Sequence, residues 1–227
     1  MQIKTVIFDL DGTLINSKQG IIDGMCEAFR LSGLVVPENL TIPVGPPLYD
    51  TILSVYPDID DKTVELIVQN FRKVCHHFDI FRSKPFEKIV ELLKYLNDKN
   101  IKVYIATYKP KQFSSKVLER NFSNLYDDIA TPSELPTWCE DDLHNNCTKT
   151  DIVKFLIDKH KIEAKTAFMV GDAITDIQAG IENGLMTIAA NYGYGNDLSC
   201  ADFGVGTSSE LCDLICNLVE KETEIPV

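Results

Sequence analysis

Short apolar runs recur along this chain, and helical periodicity fills the spaces between them. The runs are residues 4–8 (KTVIF), 102–106 (KVYIA), 167–170 (AFMV) and 186–190 (MTIAA). Each has the length and composition of a buried strand. Residues 87–96 place Ile89, Leu92, Leu93 and Leu96 on one face, which predicts a helix. Residues 150–160 and 176–183 read the same way, the second closed by Gly184 as a C-terminal cap. Strands alternating with helices imply parallel βαβ units, and therefore an α/β fold built on a parallel sheet.

One segment breaks the alternation. Residues 20–31 (GIIDGMCEAFRL) and 61–78 both have helical patterns, and the turn-rich stretch 41–48 (TIPVGPPL) divides them. No strand pattern appears until Lys84-Pro85, after which alternation begins. The expected organisation is a core domain from residues 1–16 and 84–227, with an α-helical cap domain, residues 17–83, inserted into a loop.

Bulk properties narrow the possible partners. The 227 residues carry a net charge of −12, which argues against a nucleic-acid footprint or binding to an anionic membrane surface. No apolar run approaches the roughly 20 residues of a membrane helix. Met1 to Lys4 lead straight into the first strand without the pattern of a signal peptide. Seven irregularly spaced cysteines suit free thiols in a reducing cytoplasm. The expected setting is cytoplasmic, and the expected partner is a small molecule.

In an open parallel sheet, ligands bind at the carboxyl ends of the strands. Here the first strand runs into Asp9-Leu10-Asp11-Gly12-Thr13, the second into Thr107-Tyr108-Lys109-Pro110 and the third into Gly171-Asp172-Ala173-Ile174-Thr175-Asp176. A buried carboxylate is costly unless it is paired, hydrogen-bonded or bound to a metal. Acids at two strand tips form an oxygen-rich site that suits Mg²⁺, whereas zinc favours Cys and His. Cys139, His144 and Cys147 supply three such ligands in one loop without a fourth. His76 and His77 lie in a helical stretch and read as packing or surface residues.

The chain resembles the haloacid dehalogenase-like hydrolases over nearly its whole length. The family's four motifs occur in order as Asp9-Leu10-Asp11-Gly12-Thr13-Leu14, Thr107 after a strand, Lys149 in Thr148-Lys149-Thr150-Asp151-Ile152, and Gly171-Asp172-x3-Asp176. A cap between the first and second motifs is the C1 arrangement. Gly45-Pro46-Pro47-Leu48, Ala106-Thr107-Tyr108-Lys109-Pro110 and Tyr192-Gly193-Tyr194-Gly195 are similar to the phosphoglycolate phosphatase-like branch. That branch often carries Asp-Gly-x-Arg before its lysine. Here residues 140–147 (EDDLHNNC) stand instead, a change expected to alter substrate choice.

The resemblance implies a Rossmann-like core and a Mg²⁺-dependent phosphatase. Asp9 is then the nucleophile that forms an aspartyl-phosphate, and Asp11 the group that protonates the leaving oxygen and later activates water. Thr107 and the N–H groups of Leu10, Asp11 and Tyr108 are expected to hold the phosphoryl oxygens, with Lys149 adding positive charge. Gly12 allows the turn beneath the phosphate. Asp9, the Asp11 carbonyl and Asp172 are the implied metal ligands, with Asp176 acting directly or through water. Gly45 and Pro46 are candidate substrate contacts; the same turn also reads as a simple helix break. Related readings are a phosphomutase of the β-phosphoglucomutase type and a 5′-nucleotidase. From another class, a phosphate-binding regulatory protein is the rival; such a protein does not need all of Asp9, Asp11, Thr107, Lys149 and Asp172, yet all five are present.

Overall fold

A computed structural model describes residues 2–38, 40–44, 48–136 and 147–220, and the side chains of 76–81 are left aside. The GPP turn at 45–47 and the segment 137–146 fall outside the described residues. The sequence-predicted roles of Gly45, Pro46, Cys139 and His144 therefore fall there too, as do those of the His76 and His77 side chains.

Strand β1 (Thr5–Phe8) leads into the short β2 (Ile15–Asn16), then into α1 (Lys18–Leu31), α2 (Leu48–Val55) and α3 (Asp61–Arg82). The chain returns through β3 (Lys84–Pro85) to α4 (Ile89–Asp98), β4 (Lys102–Ala106), α5 (Lys111–Phe122) and β5 (Asp128–Ala130). It ends with α6 (Lys149–His160), β6 (Ala167–Gly171), α7 (Ile174–Glu182), β7 (Met186–Ala190), β8 (Phe203–Val205) and α8 (Ser208–Glu220).

Six strands form a parallel sheet in the order β5-β4-β1-β6-β7-β8. β1 lies between β4 and β6, with Phe8 in register with both Ile105 and Val170. The order reverses at β1, so the crevice beyond its carboxyl end is the topological switch point. Both faces of the sheet are covered. Val6, Phe8, Val103, Ile105, Phe168 and Val170 face a cluster built with α4, α5 and α8. Ile7, Tyr104, Ala106 and Met169 face a second one with α6. Alternate residues of one strand thus enter different cores, which is why each run is apolar without a polar partner face.

The segment between β2 and β3 has its own apolar cluster of Met25, Ala28, Phe29, Ile42, Ile52, Val64, Ile67 and Val68. β2 and β3 pair antiparallel, so the chain leaves and re-enters the sheet region side by side. Phe71 of α3 packs against both this cluster and the sheet's. Among the described residues, no helix is long and apolar enough to cross a membrane.

The observed boundaries differ from the sequence expectation in places. α7 begins two residues earlier, at Ile174, and Asn183 caps its C-terminus just before Gly184. α3 runs on to Arg82, and Leu48, read as part of a turn, starts α2. α2, α5 and the three-residue strands β5 and β8 were not expected.

Candidate active site

The parallel register sets the carboxyl ends of β1, β4 and β6 side by side. Asp9 continues β1 and donates its N–H to Val170 O (2.9 Å); Thr107 continues β4 and donates to Ala130 O (3.1 Å). Asp172 follows β6, and Asp176 lies in the first turn of α7. Thr148 caps α6 by accepting the Asp151 N–H (3.1 Å), which fixes Lys149 as the first residue of that helix. Lys149 is buried (3% exposed), and its Nζ lies 2.5 Å from Asp9 Oδ1 and 2.9 Å from Asp176 Oδ1.

Asp9, Asp172 and Asp176 are all buried, and each offers a carboxylate oxygen within 4.8 Å of those of the other two. Fully ionised, three carboxylates against one ammonium leave an excess of two negative charges among buried groups. Burial pushes the Asp9 carboxyl well above the usual range, Asp176 and Asp172 push it further, and Lys149 opposes them. Burial likewise pushes Asp172 up to about 6, against the Tyr194 N–H and with the help of Asp176. Burial pulls the Lys149 ammonium down, but Asp176 and Asp9 outweigh it and hold the group protonated. Asp176 Oδ2 accepts the Ala173 N–H (3.0 Å), and Oδ1 lies 2.9 Å from Lys149 Nζ in an ion pair. Three buried carboxylates that share one ammonium, an all-oxygen set with excess negative charge, fit a hard divalent cation.

Asp172 is fixed through both oxygens. Thr13 Oγ1 donates to Oδ1 (3.1 Å) and the Tyr194 N–H to Oδ2 (2.7 Å). Gly12 sits at φ +95°, and a Cβ there would overlap the Asp172 carboxylate. Close approach therefore demands glycine in the turn after β1. Sequence reading passed over Thr13 and Tyr194 as partners of Asp172, since both contacts join distant stretches of chain.

Asp11 is half-buried. Lys109 Nζ lies 3.1 Å from each of its oxygens, so the two acids of the first motif have separate lysines. Thr107 does not cap α5, where Pro110 holds the N-cap position; its Oγ1 accepts the Lys109 N–H (3.1 Å). The Tyr108 ring lies beneath Lys149 Nζ, 5.2 Å from the ring centre. Leu10 is fully buried under the turn. Cys147 is partly buried, with Sγ 3.7 Å from Thr148 O.

Residues 6–190 match the family model of the haloacid dehalogenase-like hydrolases. The chain belongs to that family. A 5′-nucleotidase from Pseudomonas aeruginosa is 26% identical over 204 residues, covering 87% of this chain and 86% of the relative. A phosphoglycolate phosphatase from Aquifex aeolicus is 29% identical over 219 residues, covering 95% and 98%. Among solved structures, a "predicted phosphatase" from Clostridium acetobutylicum superposes with a TM-score of 0.80 at 27% identity, covering 96% of this chain and all of the other. These similarities set the chain among the phosphatases of the haloacid dehalogenase-like family, with the helical segment in the C1 position between the first and second motifs.

Proposed function

We propose that this haloacid dehalogenase-like phosphatase hydrolyses a small phosphomonoester through an aspartyl-phosphate on Asp9, with Mg²⁺ held by Asp9, Asp172 and Asp176 and by the main-chain carbonyl of Asp11. The observation that carries this reading is the buried cluster of three carboxylates and one lysine at the switch point of the sheet. A bound divalent cation supplies Lewis-acid charge that offsets the phosphoryl oxygens.

A phosphomonoester dianion repels a carboxylate nucleophile unless its charge is met first. Lys149 supplies one positive charge beside Asp9. The Thr107 hydroxyl, whose oxygen already accepts from Lys109, has its proton available for a phosphoryl oxygen, and the N–H groups of Leu10, Asp11 and Tyr108 complete the cradle. Asp9 attacks phosphorus as the ester P–O bond breaks, and Asp11 gives its proton to the departing oxygen. Water then attacks the acyl phosphate, Asp11 takes the proton back, and inorganic phosphate leaves with Asp9 regenerated. Asp11 now faces Lys109 with both oxygens, so this role requires the pair to part and Asp11 to take up a proton, from solvent or from the entering phosphate monoanion, before the first step.

Residues 17–83 act in this reading as a cap that excludes stray water and reads the leaving group, with the Gly45-Pro46 turn as the contact. The antiparallel β2–β3 pair forms a neck for such motion. The substrates named for the relatives, phosphoglycolate and 5′-nucleotides, define the class to test first.

The test is phosphate release from phosphoglycolate, nucleoside 5′-monophosphates, hexose phosphates and pyridoxal phosphate, with Mg²⁺ and with EDTA. The expected result is release from one or two compounds in Mg²⁺ and none in EDTA. An isomerised hexose phosphate without release makes the chain a mutase, and silence in both assays leaves a phosphate-binding protein or a substrate outside the panel.

The cation-free protein also has a pH signature. Asp172 at about 6 keeps its proton when folded over a range where the unfolded chain, near 3.8, has lost it. Its stabilisation is therefore complete below about pH 4 and lost as pH rises through 6. In EDTA, urea unfolding is expected to show stability falling on the order of 2 kcal/mol between pH 4.5 and 7.5. Mg²⁺ should restore it at the higher pH, and Asp172→Asn should make the profile shallower, leaving the slope that the raised Asp9 carboxyl contributes. A profile as steep in the variant as in the wild type overturns the assignment.

A further inference from the structure

Helix α1 is the first element of the inserted segment, and its N-terminus is capped from outside that segment. Ser17 holds the N-cap position, yet its side chain makes no capping bond and its Oγ is buried without a partner; the first turn carries no acid. The acceptor is instead the phenol of Tyr194, whose Oη receives the N–H of Ser17 (2.8 Å) and of Lys18 (3.0 Å). Its proton faces Asn16 Oδ1 at 3.1 Å, so the one oxygen ties down both the end of β2 and the start of α1.

The main chain of the same residue reaches the acidic cluster. The Tyr194 N–H donates to Asp172 Oδ2 (2.7 Å). A Cβ at Gly193 would overlap the Asp172 side chain, and one at Gly195 the Asp172 carbonyl oxygen. This accounts for glycine on both sides of Tyr194: nothing larger lets the loop approach Asp172 so closely. A second strap runs beside the first, from Tyr192 Oη to Thr13 O (2.8 Å) and from Thr13 Oγ1 to Asp172 Oδ1 (3.1 Å). The stretch Tyr192-Gly193-Tyr194-Gly195 thus holds both oxygens of one acid and the root of the helical segment in a single hydrogen-bonded unit.

We propose that Tyr194 is a positioning residue that couples the occupancy of the Asp172 site to the hinge of the inserted helices. A cation on Asp172 fixes the Tyr194 peptide, and the phenol carries that constraint to Ser17 and Lys18. By linkage, the same free energy acts in reverse, so holding the helices in place strengthens the cation site. This rests on the divalent-cation reading given above.

The test is amide hydrogen exchange at Ser17 and Lys18 in the full chain, with and without saturating Mg²⁺, alongside Mg²⁺ binding by calorimetry. In the wild type, Mg²⁺ is expected to slow exchange at these two amides by 5-fold or more. Tyr194→Phe keeps the ring and the N–H to Asp172 but loses the phenol oxygen. It should still bind Mg²⁺, with weaker affinity, and Mg²⁺ should change the two amides by less than 2-fold. Tyr192→Phe also loses one phenol but leaves the α1 contact in place, and should keep the wild-type response. Equal slowing in wild type and Tyr194→Phe overturns the inference, as does a wild type that binds Mg²⁺ without any change at the amides. A wild type that binds no Mg²⁺ overturns the cation reading and this inference with it.

Discussion

Asp9→Asn is expected to lower phosphate release on the order of 10⁴-fold while leaving the protein more stable than the wild type. The loss in rate follows from the chemistry: an amide oxygen is a poor nucleophile toward phosphorus, and removing a group that acts with its neighbours as one unit forfeits nearly the whole advantage. The gain in stability follows from the electrostatics. Asp9 lies buried beside Asp172 and Asp176 with its carboxyl pushed well above the usual range, so at neutral pH its charge opposes folding in the absence of a cation. Asparagine removes that charge and can still accept from Lys149, which keeps Asp176 as partner. About 1 kcal/mol is expected, raising the thermal midpoint in EDTA by roughly 2–4 °C in a chain of this size. Phosphate release and thermal melts on the same preparation check both halves. Full activity in the variant removes Asp9 as the nucleophile, and a lower midpoint removes the electrostatic account of the cluster.

That combination, a residue costly to the fold and placed where chemistry occurs, also explains what could be read in the sequence. TVIF followed by DLDGT was legible because an apolar run that ends in two acids contradicts burial unless a counter-charge waits there. Lys149 stands out from Lys154 and Lys165 by its place in the motif order, at a helix start about 20 residues before Gly171; in the structure Thr148 and Asp151 form a capping box there, and Lys154 is exposed and pairs with Asp158. The sheet's inner strands were legible for the same reason that they are featureless: with a core on each side, no polar alternation interrupts them.

Other parts were hidden for definite reasons. β5 and β8 span three residues each, too short for any periodicity to register. α5 buries Phe113, Val117, Leu118 and Phe122, but it begins after a proline, without a side-chain cap. The two donors to Asp172 were invisible because Thr13 lies 159 residues away and the Tyr194 contact is made by the main chain, which leaves no mark on residue type. The Tyr194 contact left a trace in the glycine on either side, within a stretch whose sequence shows only a likeness to the phosphoglycolate phosphatase-like branch. Packing against Asp172 explains those glycines.

Lys149→Met tests the other half of the charge balance, and its effects run opposite to those of Asp9→Asn. Methionine fills similar volume but leaves Asp9 and Asp176 facing each other without the ammonium that lies 2.5 and 2.9 Å from them. Removing one partner of a buried ion pair costs about 3–5 kcal/mol, because an uncompensated charge remains. Asp9, whose carboxyl burial already pushes up against the opposing Lys149, then holds its proton to higher pH. The deficit in EDTA should therefore be small near pH 5 and largest at pH 8, as carboxylates raised in the folded state lose stability when pH rises. A cation bound only by the folded state restores about 2.7 kcal/mol at a concentration one hundred times its Kd, so Mg²⁺ should recover most of the lost stability. It should not recover turnover, expected to stay 10²–10³-fold down, since the charge that met the transferring phosphoryl group is gone. Urea unfolding and phosphate release across pH, each with Mg²⁺ and EDTA, separate the two effects. Turnover that returns with stability would make Lys149 a structural counter-ion alone, whereas stability without turnover makes it part of the chemistry.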